Sequence, residues 1–405
     1  MRVLISGAGI AGLALARQLA LTGTDVTVIE KAPGPRESGY MIDFFGPGYD
    51  AAEAMGVLPR IRELGYRVEE VAYCDDAGRA RARLSYERFG QAAGGRLVSI
   101  MRPDLECALR EQLPARVDLR YGATITKVDA QPDVVTATLS DGTELSADLL
   151  VGCDGIHSAV RALVFGQESD WLRPLGFATA AYTFRDAAAH AAIRGRFCLT
   201  DTLHRSMGFY GLRDGRVAVF AVHRTEDRNR PDDPRRTLRS EYASLGWLAP
   251  RALAACPPGD EVYYDTVAQV VLPSWSRGRV ALLGDAAAAV SLLAGQGASL
   301  AVAGAYVLAA ELAEADSIPS ALDAYERRLR PLVENRQETG RRGARWFAPR
   351  SRWQRWLRRA ALTASALPFG DRLVASALAG KPSALVTELG GARGDTRDGT
   401  LPLRR

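Results

Sequence analysis

Apolar and polar positions fall into two textures along the chain. Short, nearly continuous apolar runs occur at Val3, Leu4 and Ile5, at Leu149, Leu150 and Val151, and in "RVALL" just before Gly284. A strand covered by helices on both faces has no polar side, so such runs predict a buried parallel sheet. The first run passes through a glycine turn into residues 13–20, whose spacing is helical, and then to "DVTVIE", a second strand. A period of two appears instead in "VEEVAYCD", "RARARLSY", "GRLVSIMR", "FATAAYTF", "SMGFYGLR", "RVAVFAVH" and "DEVYYDTVAQVVL". That alternation predicts an antiparallel sheet with one face on a core.

From Ala286 through Ala310 no residue carries a formal charge, a length that would span a bilayer. As a span it would place Gly295, Gln296 and Gly297 in mid-bilayer and Asp285 near one end, and much of its apolar character is only Ala and Gly. It reads instead as a strand end, a turn, a loop and a buried helix starting near Gly297, whose small residues allow close packing. No transmembrane segment is expected. The order of elements predicts an α/β protein whose doubly wound, Rossmann-type nucleotide-binding domain is assembled from residues 1–70, 98–165 and 276–340. A sheet-rich substrate domain, residues 71–97 and 166–275, is inserted into it; a helical region, 341–390, and a flexible tail, 391–405, follow.

Composition narrows the function classes. With 405 residues, 47% apolar and 24% charged, the chain can bury an extensive core. Its net charge of +5 carries little weight, because of 52 basic residues three are Lys (Lys31, Lys127, Lys381) and the remaining 49 are Arg, a bias of coding rather than a localised basic motif. No nucleic-acid partner is expected. Cys74, Cys107, Cys153, Cys198 and Cys256 are widely spaced, with no CxxC and no grouping with the four His, so neither a metal site nor a disulfide framework is expected. The start "MRVLISGAG" enters a strand directly, without a charged leader or long apolar region, and the expected location is cytoplasmic.

The chemistry begins at Gly7, Gly9 and Gly12, a GxGxxG between a strand and a helix, with Glu30 ending the next strand 18 residues beyond Gly12. Gly7 permits the tight turn, Gly9 lets backbone approach a pyrophosphate, and Gly12 lets helix and strand pack closely. The helix start offers unpaired N–H groups to phosphate. Glu30 suits ribose hydroxyls and disfavours a 2′-phosphate, which points to FAD or NAD. Two more acids adjoin glycine after strands, in "GCDGIHSAVR" (Asp154) and at Gly284-Asp285, followed by "AGQGAS".

Together these motifs resemble the class A flavoprotein monooxygenases, the para-hydroxybenzoate hydroxylase-like family. The resemblance spans roughly the first 315 residues and includes "MRPDLECALREQL", where Arg102 matches the family's arginine at the head of a helix against the flavin. It implies FAD held by Gly7, Gly9, Ala11 and Gly12 at the pyrophosphate and by Glu30 at the ribose, with Lys31, Arg36 and Arg102 along the cofactor. Asp285 would meet the ribityl-phosphate region, and the backbone of Gly295, Gln296, Gly297 and Ala298 the flavin ring. Asp154 would serve the pyrophosphate and transient nicotinamide binding; as a lone residue it also reads as a turn-capping aspartate. The family often has His where Ala288 stands and Pro where Leu292 stands, which removes one proton-transfer group and reshapes the loop at the ring's reactive edge.

The implied reaction uses NADPH or NADH as transient reductant and dioxygen to hydroxylate an aromatic or polyketide-like small molecule through a flavin hydroperoxide. Epoxidation, Baeyer-Villiger insertion, an FAD-dependent oxidase or dehydrogenase, and a non-catalytic flavin-binding protein remain alternatives on the same scaffold. A second GxGxxG, a CxxxxC pair and the WxWxIP signature are absent, which argues against disulfide reductases and flavin halogenases. Tyr182, Phe184, Phe209, Tyr210 and Phe220 are candidates both for pocket walls and for plain core, and His204 and His223 fit solvated or structurally bonded roles better than catalytic ones. Residues 341–360 hold many Arg, three Trp and no acid. They read as a closing helix whose Trp face seals the core, or as a contact for an acidic carrier protein or membrane surface.

Overall fold

The computed structural model describes residues 1–347 apart from 37, 38, 93, 201 and 228, then 349, 351, 353–357, 360 and 386. The apolar runs meet in a six-stranded sheet ordered Ser276–Arg277, Val280–Leu282, Leu149–Gly152, Arg2–Ser6, Asp25–Glu30, Asp118–Tyr121. Every pairing is parallel except that of Ser276–Arg277 with Val280–Leu282. The three central strands are buried almost throughout, as the missing alternation predicts. An antiparallel meander, Ile125–Ala130, Val135–Leu139 and Glu144–Ala147, leads into the strand that carries Asp154 at its end.

Small residues bring the helices onto this sheet. A Cβ on Gly12, in helix Ile10–Leu21, would lie 1.9 Å from the carbonyl oxygen of Gly7, and one on Gly7, whose φ is +106°, 2.5 Å from that of Cys153. Helix Gly297–Glu314 is apolar and long enough to cross a membrane, yet its residues from Ser299 to Glu311 are buried inside the protein, so it is a core helix. Its start presses on helix Pro47–Ala54: a Cβ on Gly48 would lie 2.4 Å from Ser299 Cα, and Ser299 Oγ accepts the Gly48 N–H at 2.8 Å while donating to Phe45 O at 2.6 Å.

The second sheet has seven strands, ordered Tyr263–Val270, Leu172–Arg185, Arg216–Arg224, Arg205–Gly211, Arg196–Thr200, Glu70–Cys74, Ala80–Ser85. Two expectations are corrected here. The sheet is mixed, because Arg196–Thr200, which shows little alternation in sequence, pairs parallel with Glu70–Cys74. "GRLVSIMR" is not in it: strand Leu97–Met101 pairs with Met41–Phe45 in a separate two-stranded ribbon. Alternation fixes which face of a strand is buried but not its partner, and here Val98 and Ile100 go to the core of the first domain while Ser99 faces away.

Pleating sorts the aromatics. Tyr182, Phe184 and Phe209 belong to a core on the face covered by helices Pro234–Tyr242 and Ala249–Ala254, whereas Tyr210 and Phe220 face the opposite side. Helix Ile318–Phe347 closes the first domain against Gly297–Glu314. Beyond it, Trp353 and Trp356 are 64% and 56% exposed, with rings stacked at 4.8 Å. The sealing role expected for this face therefore does not hold: indoles three residues apart on a helix meet each other instead of the core. Most of the expected helical region 341–390 past residue 347, and the tail 391–405, lie outside the described residues.

Overpacking at the helix junction gives a direct check. Gly48→Ala forces its methyl into Ser299 backbone and is expected to cost about 1–3 kcal/mol in denaturant unfolding, whereas Gly34→Ala, with open space at its Cβ, leaves the midpoint nearly unchanged.

Candidate functional site

Two cavities run along the carboxyl ends of the central strands and join at Gly9, Arg102, Cys153 and Gly155. The smaller, about 110 Å³, is walled by Gly7, Gly9, Glu30, Lys31, Arg36, Arg102, Asp154 and Gly155. The larger, about 430 Å³, is walled by Gly9, Ala11, Arg102, Asp285, Gly295, Gly297 and Ala298 on one side and by the second sheet on the other. The structure thus brings most sequence-predicted positions onto one trench. Gly12 is not on its surface; it acts by letting the helix close on Gly7. Gln296 also turns away, 2% exposed beside Gly46, and its amide N and O have no partner among the described residues.

At the narrow end, the Glu30 carboxylate accepts the N–H groups of Ala8 and Ala32, both at 2.9 Å, with Arg36 at 3.8 Å. It therefore fixes the glycine loop as well as presenting an acid to the trench. The first helix begins at Gly9 with no side-chain cap and no acid in its first turn, so its N–H groups and positive end are bare. Asp154 caps its own turn, taking Ser158 Oγ at 2.5 Å and Val160 N–H at 3.1 Å. The capping role therefore exists, and the turn presents Gly155 to the trench. Arg161, fully buried, donates to Ile156 O at 2.6 Å and Ala286 O at 3.1 Å, tying this turn to the one carrying Asp285.

In the middle, Arg102 heads helix Arg102–Arg110 and lies 3.1 Å from Glu106. Burial acts to lower its pKa, but Glu106, Tyr40, Tyr263 and Asp285 more than reverse that, so the cation persists. Burial raises the Asp285 carboxyl, and Arg102 opposes the shift. At the wide end Gly284, at φ +66°, and Ala11 lie close enough that a Cβ on Gly284 would approach Ala11 Cβ to 3.0 Å. Next comes Ser291 at φ +88°, its hydroxyl accepting Leu293 N–H, then Leu292 to Ala294 in one 3-10 turn and Gly295 in the left-handed region. Helix Gly297–Glu314 then starts without a side-chain cap, so its positive end faces the cavity.

These features fit FAD. A bare helix start beside Gly9 suits a pyrophosphate, Glu30 a ribose, and the second bare helix start at Gly297 a flavin ring that gains negative charge on reduction. Of the aromatics considered from sequence, Tyr210 and Phe220 line the wide cavity. His223 does not: burial lowers its pKa, and it sits between Tyr242 and Tyr264 hydroxyls at 3.1 and 3.2 Å. Sequence reasoning missed Tyr40, Asp43, Tyr86, Ser99, Tyr263 and Asp265, all on the cavity wall. It also missed His157, which bridges Glu168 at 2.9 Å and Asp265 at 3.0 Å and so joins the Asp154 turn to the second sheet.

Two outcomes follow from this geometry. Glu30→Ala removes charge-assisted bonds that shape the glycine loop, and is expected to weaken FAD retention about ten- to hundredfold, read as flavin per protein after dilution. The bond to Asp265, reinforced by Glu168 against burial, lifts the pKa of His157 from 6.5 to about 9. A raised pKa adds stability that is complete below pH 6.5 and lost as pH rises through about 9. The difference in thermal midpoint between wild type and His157→Gln should therefore be largest near pH 6 and vanish above pH 9.

Comparison with known proteins agrees with the trench. The FAD binding domain family matches residues 1–338. A flavin-dependent monooxygenase from an unknown prokaryotic organism is 31% identical over 346 residues, 84% of this chain and 88% of that protein. The FAD-dependent monooxygenase asL6 of Sarocladium schorii is 31% identical over 380 residues, 86% and 88% of the two chains. Among solved structures, tetracycline destructase Tet(51) matches with a TM-score of 0.79 at 25% identity, over 94% of this chain and 99% of that one. Klebsiella pneumoniae HpxO, solved with FAD and uric acid, shares the fold with a TM-score of 0.78 at 23% identity, over 94% and 96%. The chain belongs to the FAD binding domain family, and within it to the flavin-dependent monooxygenases of class A.

Proposed function

We propose that the protein uses NADPH or NADH and dioxygen to hydroxylate an aromatic or polyketide-like small molecule. The observation that carries this reading is the continuity of the trench: a single dinucleotide cradle opens at Gly9 and Arg102 into a cavity large enough for a fused-ring molecule. The likeness to Tet(51), a tetracycline destructase, supports a polycyclic substrate.

Bound FAD would supply the redox chemistry, accepting electrons from the nicotinamide and passing one oxygen atom of dioxygen to the substrate. The protein's own part is positional and electrostatic. Gly7, Gly9 and Glu30 would hold the nucleotide end, and Arg102 and Asp285 its middle. The start of helix Gly297–Glu314 directs bare N–H groups and a positive dipole end into the cavity, where they would stabilise negative charge on a reduced flavin. Leu292, Leu293, Val267, Phe220 and Tyr210 line the wide cavity with mostly apolar surface, which would keep water from the reacting atoms.

Turnover in ¹⁸O₂ separates this from other flavin chemistry. Substrate-stimulated nicotinamide oxidation with one labelled oxygen atom in the product is expected. Stoichiometric hydrogen peroxide with an oxidised, unlabelled product would make the protein an oxidase.

A further inference from the structure

The wide cavity is mostly apolar, and its polar groups are unevenly placed. Val71, Leu84, Phe197 and Leu199, on strands of the second sheet, form much of the wall on that side, with Val68 just before them. Among the described residues that line it, Arg102 is the only Lys or Arg, and it is held at the cofactor end by Glu106 and Asp285. Two carboxylates besides Asp285 reach the cavity. Asp265 is charge-paired: its Oδ1 takes His157 at 3.0 Å, whose pKa is lifted to about 9, and Thr266 N–H at 2.7 Å. Asp43 has no cationic partner among the described residues. Its Oδ1 accepts both Ser99 Oγ, at 2.9 Å, and the Tyr86 hydroxyl, while Oδ2 accepts no hydrogen bond among the described residues.

Three separate segments build this arrangement. Asp43 and Ser99 are directly paired across the ribbon of Met41–Phe45 and Leu97–Met101, and Tyr86 heads helix Tyr86–Ala92. Resting on the monooxygenase reading, we propose that Asp43 anchors a hydroxyl group of the substrate. The substrate is then an uncharged, hydroxyl-bearing aromatic or enolic molecule and not a carboxylate. Tyr86 and Ser99 saturate one oxygen and fix the plane of the carboxyl group, which leaves the other to receive a donor. A phenolic or enolic O–H meets it with a charge-assisted hydrogen bond. A substrate carboxylate would bring a second anion into a mostly apolar cavity where, among the described lining residues, the one Lys or Arg is Arg102, already paired with Glu106, which is strongly unfavourable.

Binding to the FAD-loaded, oxidised protein, without nicotinamide, tests this apart from turnover: failure of hydroxylation leaves the binding result standing, and the reverse. The probes are 2-naphthol, naphthalene and 2-naphthoate, with affinity read from the absorbance change of the bound flavin. Wild type should prefer 2-naphthol to naphthalene by about tenfold and bind 2-naphthoate weakest. Asp43→Asn should retain FAD, lose about tenfold for 2-naphthol and leave naphthalene unchanged. Equal affinity of wild type for 2-naphthol and 2-naphthoate overturns the proposal without any variant. So does an equal loss for naphthol and naphthalene in Asp43→Asn, or loss of FAD from it, which would assign Asp43 to the cofactor.

Discussion

The whole site depends on close approach at glycine. Where Gly12 of helix Ile10–Leu21 meets the Gly7 turn, where Gly284 meets Ala11, and where Gly48 meets Ser299, an added methyl would fall 1.9, 3.0 and 2.4 Å from existing atoms. The glycines leave room for this packing, and two helix starts reach the same trench uncapped, at Gly9 and at Gly297. A helix start that is neither capped nor covered is a site for electron-rich groups. The trench therefore offers two such ends in line, and packing sets their spacing.

Charge is arranged to suit. Arg102 is a partly buried cation among Glu106, Asp285 and two tyrosines, so its position is fixed by several partners and not by one. Glu30 spends its carboxylate on loop N–H groups, and Arg161 and His157 tie the Asp154 turn to the Asp285 turn and to the second sheet. In the loop from Ser291 to Gly295, Ser291 at φ +88° is the one non-glycine residue with positive φ among the described residues that line the trench. The loop contains Leu292, and it follows Ala288 by three residues, the two positions that depart from the family pattern.

Local sequence carried much of this. Gly7, Gly9, Gly12 and Glu30 were legible because strand, turn and helix are consecutive, and the three buried strands because parallel strands lose their polar face. The nature of the Ala286 to Ala310 stretch was legible too, since its glycines and alanines are those of a helix packed tightly in a core. What was hidden lies between distant segments. Asp43, Tyr86 and Ser99 share no local pattern, and His157 reaches Asp265 across 108 residues. Alternation could not tell that Leu97–Met101 leaves the large sheet, nor that Arg196–Thr200 joins it in parallel. It does put the adjacent residues Phe209 and Tyr210 on opposite faces, but it could not tell which face is core and which is cavity. The Trp353 and Trp356 spacing was read correctly as helical, but a period cannot say which surface the indoles meet.

The central claim is that packing lays a single dinucleotide along the trench in one direction, and a crystal structure of the FAD-loaded protein tests it most directly. The account predicts adenosine at Glu30, the pyrophosphate at the start of helix Ile10–Leu21, and the flavin ring against the backbone of Gly295 to Ala298. A ring bound at the Glu30 end, or FAD outside the trench with Gly9 and Gly297 uncontacted, would contradict it.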